Sequence, residues 1–167
     1  MTAGEEPGGV SIVVEGSARA TREAAFDVIV PIDLAQVFRG YGPLPAVVGT
    51  KGLDGGWDHV GATRVVELSD GSEAGELITS YERPEYFAYR VGPFESAPLR
   101  NLVDVAVGEW WFSTAEGEST AIRWSYTFLP RRAVARPLVR AMIGPLWRGY
   151  AKRTLALAIG EVERQAG

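Results

Sequence analysis

The stretch Gly108 to Pro130, GEWWFSTAEGESTAIRWSYTFLP, constrains the fold more than any other part of this 167-residue chain. Two alternating runs flank a polar, glycine-containing connection, Ala115 to Ser119, the pattern of a β-hairpin with a longer loop. Successive strand side chains point to opposite faces, so a pairing that sets Thr114 near Thr120 sorts the hairpin cleanly. One face then carries Trp110, Phe112, Ile122, Trp124, Tyr126 and Phe128. The other carries Glu109, Trp111, Ala121, Arg123 and Ser125. So much aromatic area must lie against something large. It is either a packed core wall or the wall of a cavity that holds a flat apolar ligand.

What the chain lacks narrows its chemistry. It has no cysteine and one histidine, His59, so a disulfide frame, a thiol nucleophile and a thiolate metal site are excluded. His59 lies in a Gly-flanked stretch with no nucleophile-elbow motif, and reads as structural or exposed. No P-loop is present, the acids are scattered, and no metal or cofactor is expected. A net charge of −4 and strands without basic interleaving argue against nucleic acid. The acidic N-terminus has no secretory pattern and no run is long enough to span a membrane, so the expected location is cytoplasmic. Between Ser119 and Gly160 there is no acid but eight cations, from Arg123 to Arg153. Such asymmetry is commonly a solvated helix face; it also marks surfaces that meet anionic lipid or an acidic partner.

The remaining segments are expected to form one domain. Residues 1–9 have almost nothing to bury, Val10 to Val14 reads as tail or short edge strand, and the flexible tail is set at residues 1–17, with a single domain over 18–166. Ala25, Phe26, Val28 and Val30 predict a first strand ended by Pro31. Asp33 predicts an N-cap for a short helix over LAQVF, and Pro43 and Pro45 a second around Leu44 to Val48. Strands follow from Val60 to Ser69, Glu73 to Tyr81 and Tyr86 to Phe94, joined through Asp70-Gly71 and Arg83-Pro84-Glu85. Counting from those turns places Ala62, Arg64, Val66, Leu77, Thr79, Tyr81, Phe87, Tyr89 and Val91 inward, and Glu76 among the outward residues. Residues 133–165 predict a long helix with an apolar stripe of Leu138, Val139, Met142, Ile143, Leu146, Trp147 and Tyr150, kinked or divided at Pro145. The sum is an α+β fold: an antiparallel sheet of six to seven strands, two short helices after the first strand, and one long terminal helix across the sheet.

With WDHVGATRVVELSDGSEAGELITSYERPEYFAYRV, GEWWF and TAIRWSYTF in this order, the chain resembles the polyketide cyclase/dehydrase and lipid-transport superfamily (SRPBCC), which has the helix-grip fold of START-like domains. The resemblance covers about Arg22 to Glu163. It implies a deep cavity between sheet and terminal helix for a lipid, steroid or polyketide-like molecule. Superfamily members range from carriers to cyclases and share no single catalytic set, so a binding protein and a cyclase, aromatase or dehydratase both stand as readings. The candidate ligand-binding residues are Arg64, Thr79, Tyr81, Tyr89, Trp110, Trp124, Tyr126 and Met142. A buried arginine needs an acid or an anionic ligand beside it, so an inward Arg64 must be paired; a one-residue slip would instead place it outside, paired with Glu76 or Glu67 across the strands. Membrane-surface contact is expected, if anywhere, through the basic C-terminal helix.

Overall fold

The aromatic hairpin forms in the expected register. In a computed structural model, which describes residues 7–97 and 99–167, strands β6 (Val103–Ala115) and β7 (Ser119–Pro130) pair with Thr114 opposite Thr120. All six residues expected on the inner face are buried. Trp111 lies on the outer face, half-buried, with the Arg123 guanidinium 5.2 Å from its ring centre. Trp110 stacks on Trp124, with centroids 4.6 Å apart and 14° between the planes.

The hairpin is central to a seven-stranded antiparallel sheet of order β1-β7-β6-β5-β4-β3-β2. Its first strand corrects the expected tail. Residues 1–6 lie outside the described residues, but β1 (Val10–Ala18) pairs along β7 with Val10 opposite Phe128, so residues 10–17 belong to the domain. Val10, Ile12 and Val14 are buried on the aromatic face, and β1 occupies the backbone groups that would otherwise leave β7 an open edge.

The segment expected as the first strand is helix α1 (Arg22–Ile29). Thr21 caps it by accepting from the Ala24 amide at 3.2 Å, and Ala25, Phe26 and Ile29 bury one helical face. Cap and spacing override the strand-forming residue types. Helix α2 (Leu34–Val37) forms as predicted, with Asp33 accepting from the Ala35 amide at 3.1 Å. No helix forms at Leu44 to Val48. Tyr41 and Leu44 bridge instead, and β2 (Val47–Lys51) joins the sheet edge. Two short helices do follow the first strand, but they are α1 and α2.

Strands β3 (Thr63–Leu68), β4 (Glu73–Glu82) and β5 (Tyr86–Phe94) complete the meander. The register of β4 against β5 shifts between Ile78 and Ser80, so an extra residue enters β4. Counting back from the Arg83 turn therefore holds for Tyr81 and fails beyond it. Leu77 and Thr79 are exposed, while Ala74, Glu76 and Ile78 face inward. A single-turn helix α3 (Leu99–Leu102) leads into β6.

The C-terminal segment divides as Pro145 requires. A 3-10 turn (Ala133–Ala135), α4 (Arg136–Leu138) and a π turn (Val139–Ile143) precede the long helix α5 (Gly144–Ala166). Pro145 has no N–H to offer the Ala141 carbonyl and its ring crowds that oxygen. The wider turn accommodates this, with the Gly144 amide bonding back to the Val139 carbonyl. Helix α5 packs on β1, α1 and α2 through Ala151, Leu155, Ala158 and Val162. The two hairpin faces should differ sharply in urea denaturation. Trp124→Ala is expected to cost about 3–5 kcal/mol, as for large buried aromatics, and Trp111→Ala only about 1 kcal/mol.

Candidate functional site

A cavity of about 110 Å³ lies between the inner face of the sheet, the Leu44–Pro45 loop and the start of α5. Its wall is mainly apolar: Leu34 from α2 and Phe38 just after it, Val91 and Phe94 from β5, Phe128 from β7, and Ile143 and Trp147 from the terminal segment. Half-buried Leu44, Pro45, Ser96 and Leu99 form its rim. Tyr150 holds the loop to α5, its hydroxyl donating to the Pro45 carbonyl at 2.8 Å and accepting from the Gly40 amide at 3.0 Å. Trp147 lies across the interior, 4.4 Å from Tyr126 between centroids and 25° from parallel with Phe38. Among the described residues its indole N–H, like that of Trp124, has no hydrogen-bond partner.

Three polar side chains interrupt this wall: Glu76, Tyr89 and Tyr126. Glu76 sits directly across the ladder from Arg64 and accepts from its Nε at 2.7 Å, both side chains only 9% exposed. Trp57, from the glycine-rich loop after β2, lies under the guanidinium, with Cζ 4.0 Å from the ring centre. Arg64 thus faces inward with the pairing that a buried cation demands. Glu76, read from sequence as outward, is its partner. Burial pushes the Glu76 carboxyl above the ordinary carboxylate range, against the opposing pull of Arg64.

Tyr89 and Tyr126 are both held neutral. Burial raises the Tyr126 hydroxyl far above its ordinary value, and Tyr89 and Glu76 add to this. Burial and then the Glu76 charge raise Tyr89, while the neighbouring Trp110 indole opposes them. Tyr89 reaches this position because it pairs with Gly108, where a Cβ would overlap its ring. The arrangement offers two hydroxyl donors and one carboxyl group, backed by the Arg64 guanidinium, at the end of an otherwise apolar chamber. Such a chamber can orient an apolar molecule by its oxygens.

The other sequence-predicted site residues are distributed unevenly. Trp110, with Arg64, Glu76 and Tyr89, lines a second cavity of about 30 Å³ beneath α1 and α5. Trp124 is buried among Trp110, Phe38, Tyr126 and Trp147 and lines neither cavity. Tyr81 packs edge-on against Phe26, away from both. Thr79 is exposed because of the β4 bulge, and Met142, 47% exposed, faces out from the π turn. Neither belongs to the chamber. Phe38 and Trp147 were missed as site residues, although Trp147 stood in the apolar stripe. His59 is exposed beside Asp58.

The topology decides the fold class. The chain has the helix-grip fold. Solved structures of the same fold include the Zhui aromatase/cyclase from Streptomyces sp. R1128, with a TM-score of 0.70 at 18% identity over 95% of this chain and 96% of that one. They also include ginseng major latex-like protein 151 from Panax ginseng, with a TM-score of 0.65 at 14% identity over 95% and 97%. Ara h 8.0201 aligns with a TM-score of 0.62 at 13% identity over 92% and 97%. No protein-family model and no curated protein matches the sequence.

The helix-grip chamber makes one pH dependence testable. A raised folded pKa means that the native state keeps a proton the unfolded chain has lost, so the Glu76 contribution to stability falls as pH rises from the ordinary carboxylate value through the raised one. In urea titrations across that window, the stability of the wild type relative to Glu76→Gln should be greatest at the acid end and decline with pH. A difference independent of pH would refute the assignment.

Proposed function

We propose that the protein binds a largely apolar small molecule, of lipid, steroid or polyketide-like character, between the sheet and the terminal helix. The oxygen-bearing end of that molecule meets Tyr89, Tyr126 and Glu76. The observation that carries this reading is the apolar chamber with its two neutral phenols and one buried ion pair. At about 110 Å³ the chamber is smaller than the several hundred Å³ of a drug-sized site. Trp147 supplies the difference. Its ring fills the interior, and its indole N–H gives up no hydrogen bond on leaving.

An environment-sensitive apolar dye, displaced by fatty acids, sterols or polycyclic phenols, tests the reading. Micromolar binding is expected, lost in Ala74→Phe, which fills the chamber from the β4 side. Near-UV circular dichroism should confirm the fold, since overpacking of this kind costs about 1–3 kcal/mol. Trp147→Ala should admit bulkier probes than the wild type does. Binding that survives Ala74→Phe, or no apolar probe bound at micromolar concentration, would count against the proposal.

A second reading, catalysis of cyclisation or dehydration, draws on a specific observation: neutral Tyr89 and Tyr126 stand beside a carboxyl group and can donate to a developing enolate. Its likeness in fold to a protein named as an aromatase/cyclase adds support. Tyr126→Phe should then slow turnover of a poly-β-ketone substrate at least tenfold with an unchanged melting temperature. Equal rates would leave binding alone.

A further inference from the structure

We infer that the outer face of residues 131–145 docks on an anionic lipid surface. Val134 is 85% exposed, Met142 47% and Leu138 45%. They are spaced four residues apart along a helical run, which brings them to one side. The adjoining side of the same run is anchored in the core by Val139 and Ile143, both buried. The exposed apolar side chains are therefore held outward, with no way to fold back without extracting that anchor.

Arginines are exposed on the same run. Arg131 and Arg132 precede Val134, Arg140 lies across the turn from Leu138 and Met142, and the sequence has no acid from Ser119 to Gly160. Among the described residues, Arg132 and Arg140 form no ion pair, and Arg131 is 3.9 Å from Asp104 at the edge of the patch. An exposed apolar side on a short run whose only charged residues are cationic is the combination that seats a segment at the boundary of headgroups and acyl chains. The long arginine stems keep their charge at the headgroups while their methylenes pass apolar surface. An acidic protein is the weaker match. A stable protein contact needs about 800 Å² from each side, far more than three side chains supply, whereas a lipid surface closes around a small wedge.

This docking surface goes beyond ligand binding and is read without any ligand. The full chain is mixed with vesicles of phosphatidylglycerol and phosphatidylcholine in equal parts, or of phosphatidylcholine alone, and floated on a density gradient. The protein should float with the anionic vesicles and not with the neutral ones. At an ionic strength of about 1 M, where charges are screened within about 3 Å, flotation should fall more than tenfold. Each arginine near an anionic surface is worth roughly a fivefold change in binding, so Arg132→Glu with Arg140→Glu should weaken it more than tenfold. Leu138→Asp with Met142→Asp should do the same. All four positions are exposed, so the melting temperature of both variants should match the wild type. No flotation with anionic vesicles, equal flotation with neutral ones, or wild-type flotation of the Leu138/Met142 variant would overturn the inference.

Discussion

A continuous seam of rings determines where everything else in this molecule must go. Phe26 meets Phe112 edge-on, Phe112 stacks along Trp110, Trp110 on Trp124, and Trp124 abuts both Tyr126 and Trp147. Aromatic rings contribute more buried area than any other side chains and add geometry-dependent contacts of about 0.5–1.5 kcal/mol per pair. One strand pair cannot bury such a surface by itself. Helix α1 covers one end through Phe26, and Trp147 from α5 covers the other, with Phe38 closing the gap between them. The helices grip the sheet because the rings require a second wall.

The chamber is the place where that seam stops being filled. Toward β3 and β4 the inward positions change from rings to Arg64 and Glu76, and a buried ion pair is a poor stabiliser in comparison with apolar packing of the same volume. Its presence here has a use in the binding reading: it holds a charge pair and two neutral hydroxyls against an apolar interior, where polar groups act strongly because water is sparse. The same groups serve an enolate in the catalytic reading. Both readings thus turn on one small polar cluster, reached from opposite sides of the question of what the ligand does next.

The sequence made some parts of this legible and hid others, for physical reasons. Strict alternation around a short loop fixed the β6–β7 register, and with it the inward Trp110, Trp124 and Tyr126. Asp33 announced α2, and Pro145 announced a divided terminal helix. The β4 bulge was invisible because nothing in LITSY distinguishes an extra residue from regular alternation, and it sent Thr79 outward and Glu76 inward. Helix α1 was misread because Ala25, Phe26, Val28 and Val30 are compatible with either period, and only the Thr21 cap favours the helix. Met142 sits in the stripe on paper, but the core takes only its neighbours Val139 and Ile143, and Met142 faces out with Leu138. Trp147 was part of the stripe without any sign that it would reach across the chamber.

That π turn also separates two mechanical units. An uninterrupted helix from residue 133 to 166 would transmit any displacement of its first turns down to Val162, buried between sheet and α1. With Pro145 interrupting the hydrogen-bond ladder, residues 133–143 are held by their own core anchors, Val139 and Ile143, while the body of α5 is held by its contacts with β1. The chamber wall is thus built from two separately anchored pieces, with Ile143 on one and Trp147 on the other.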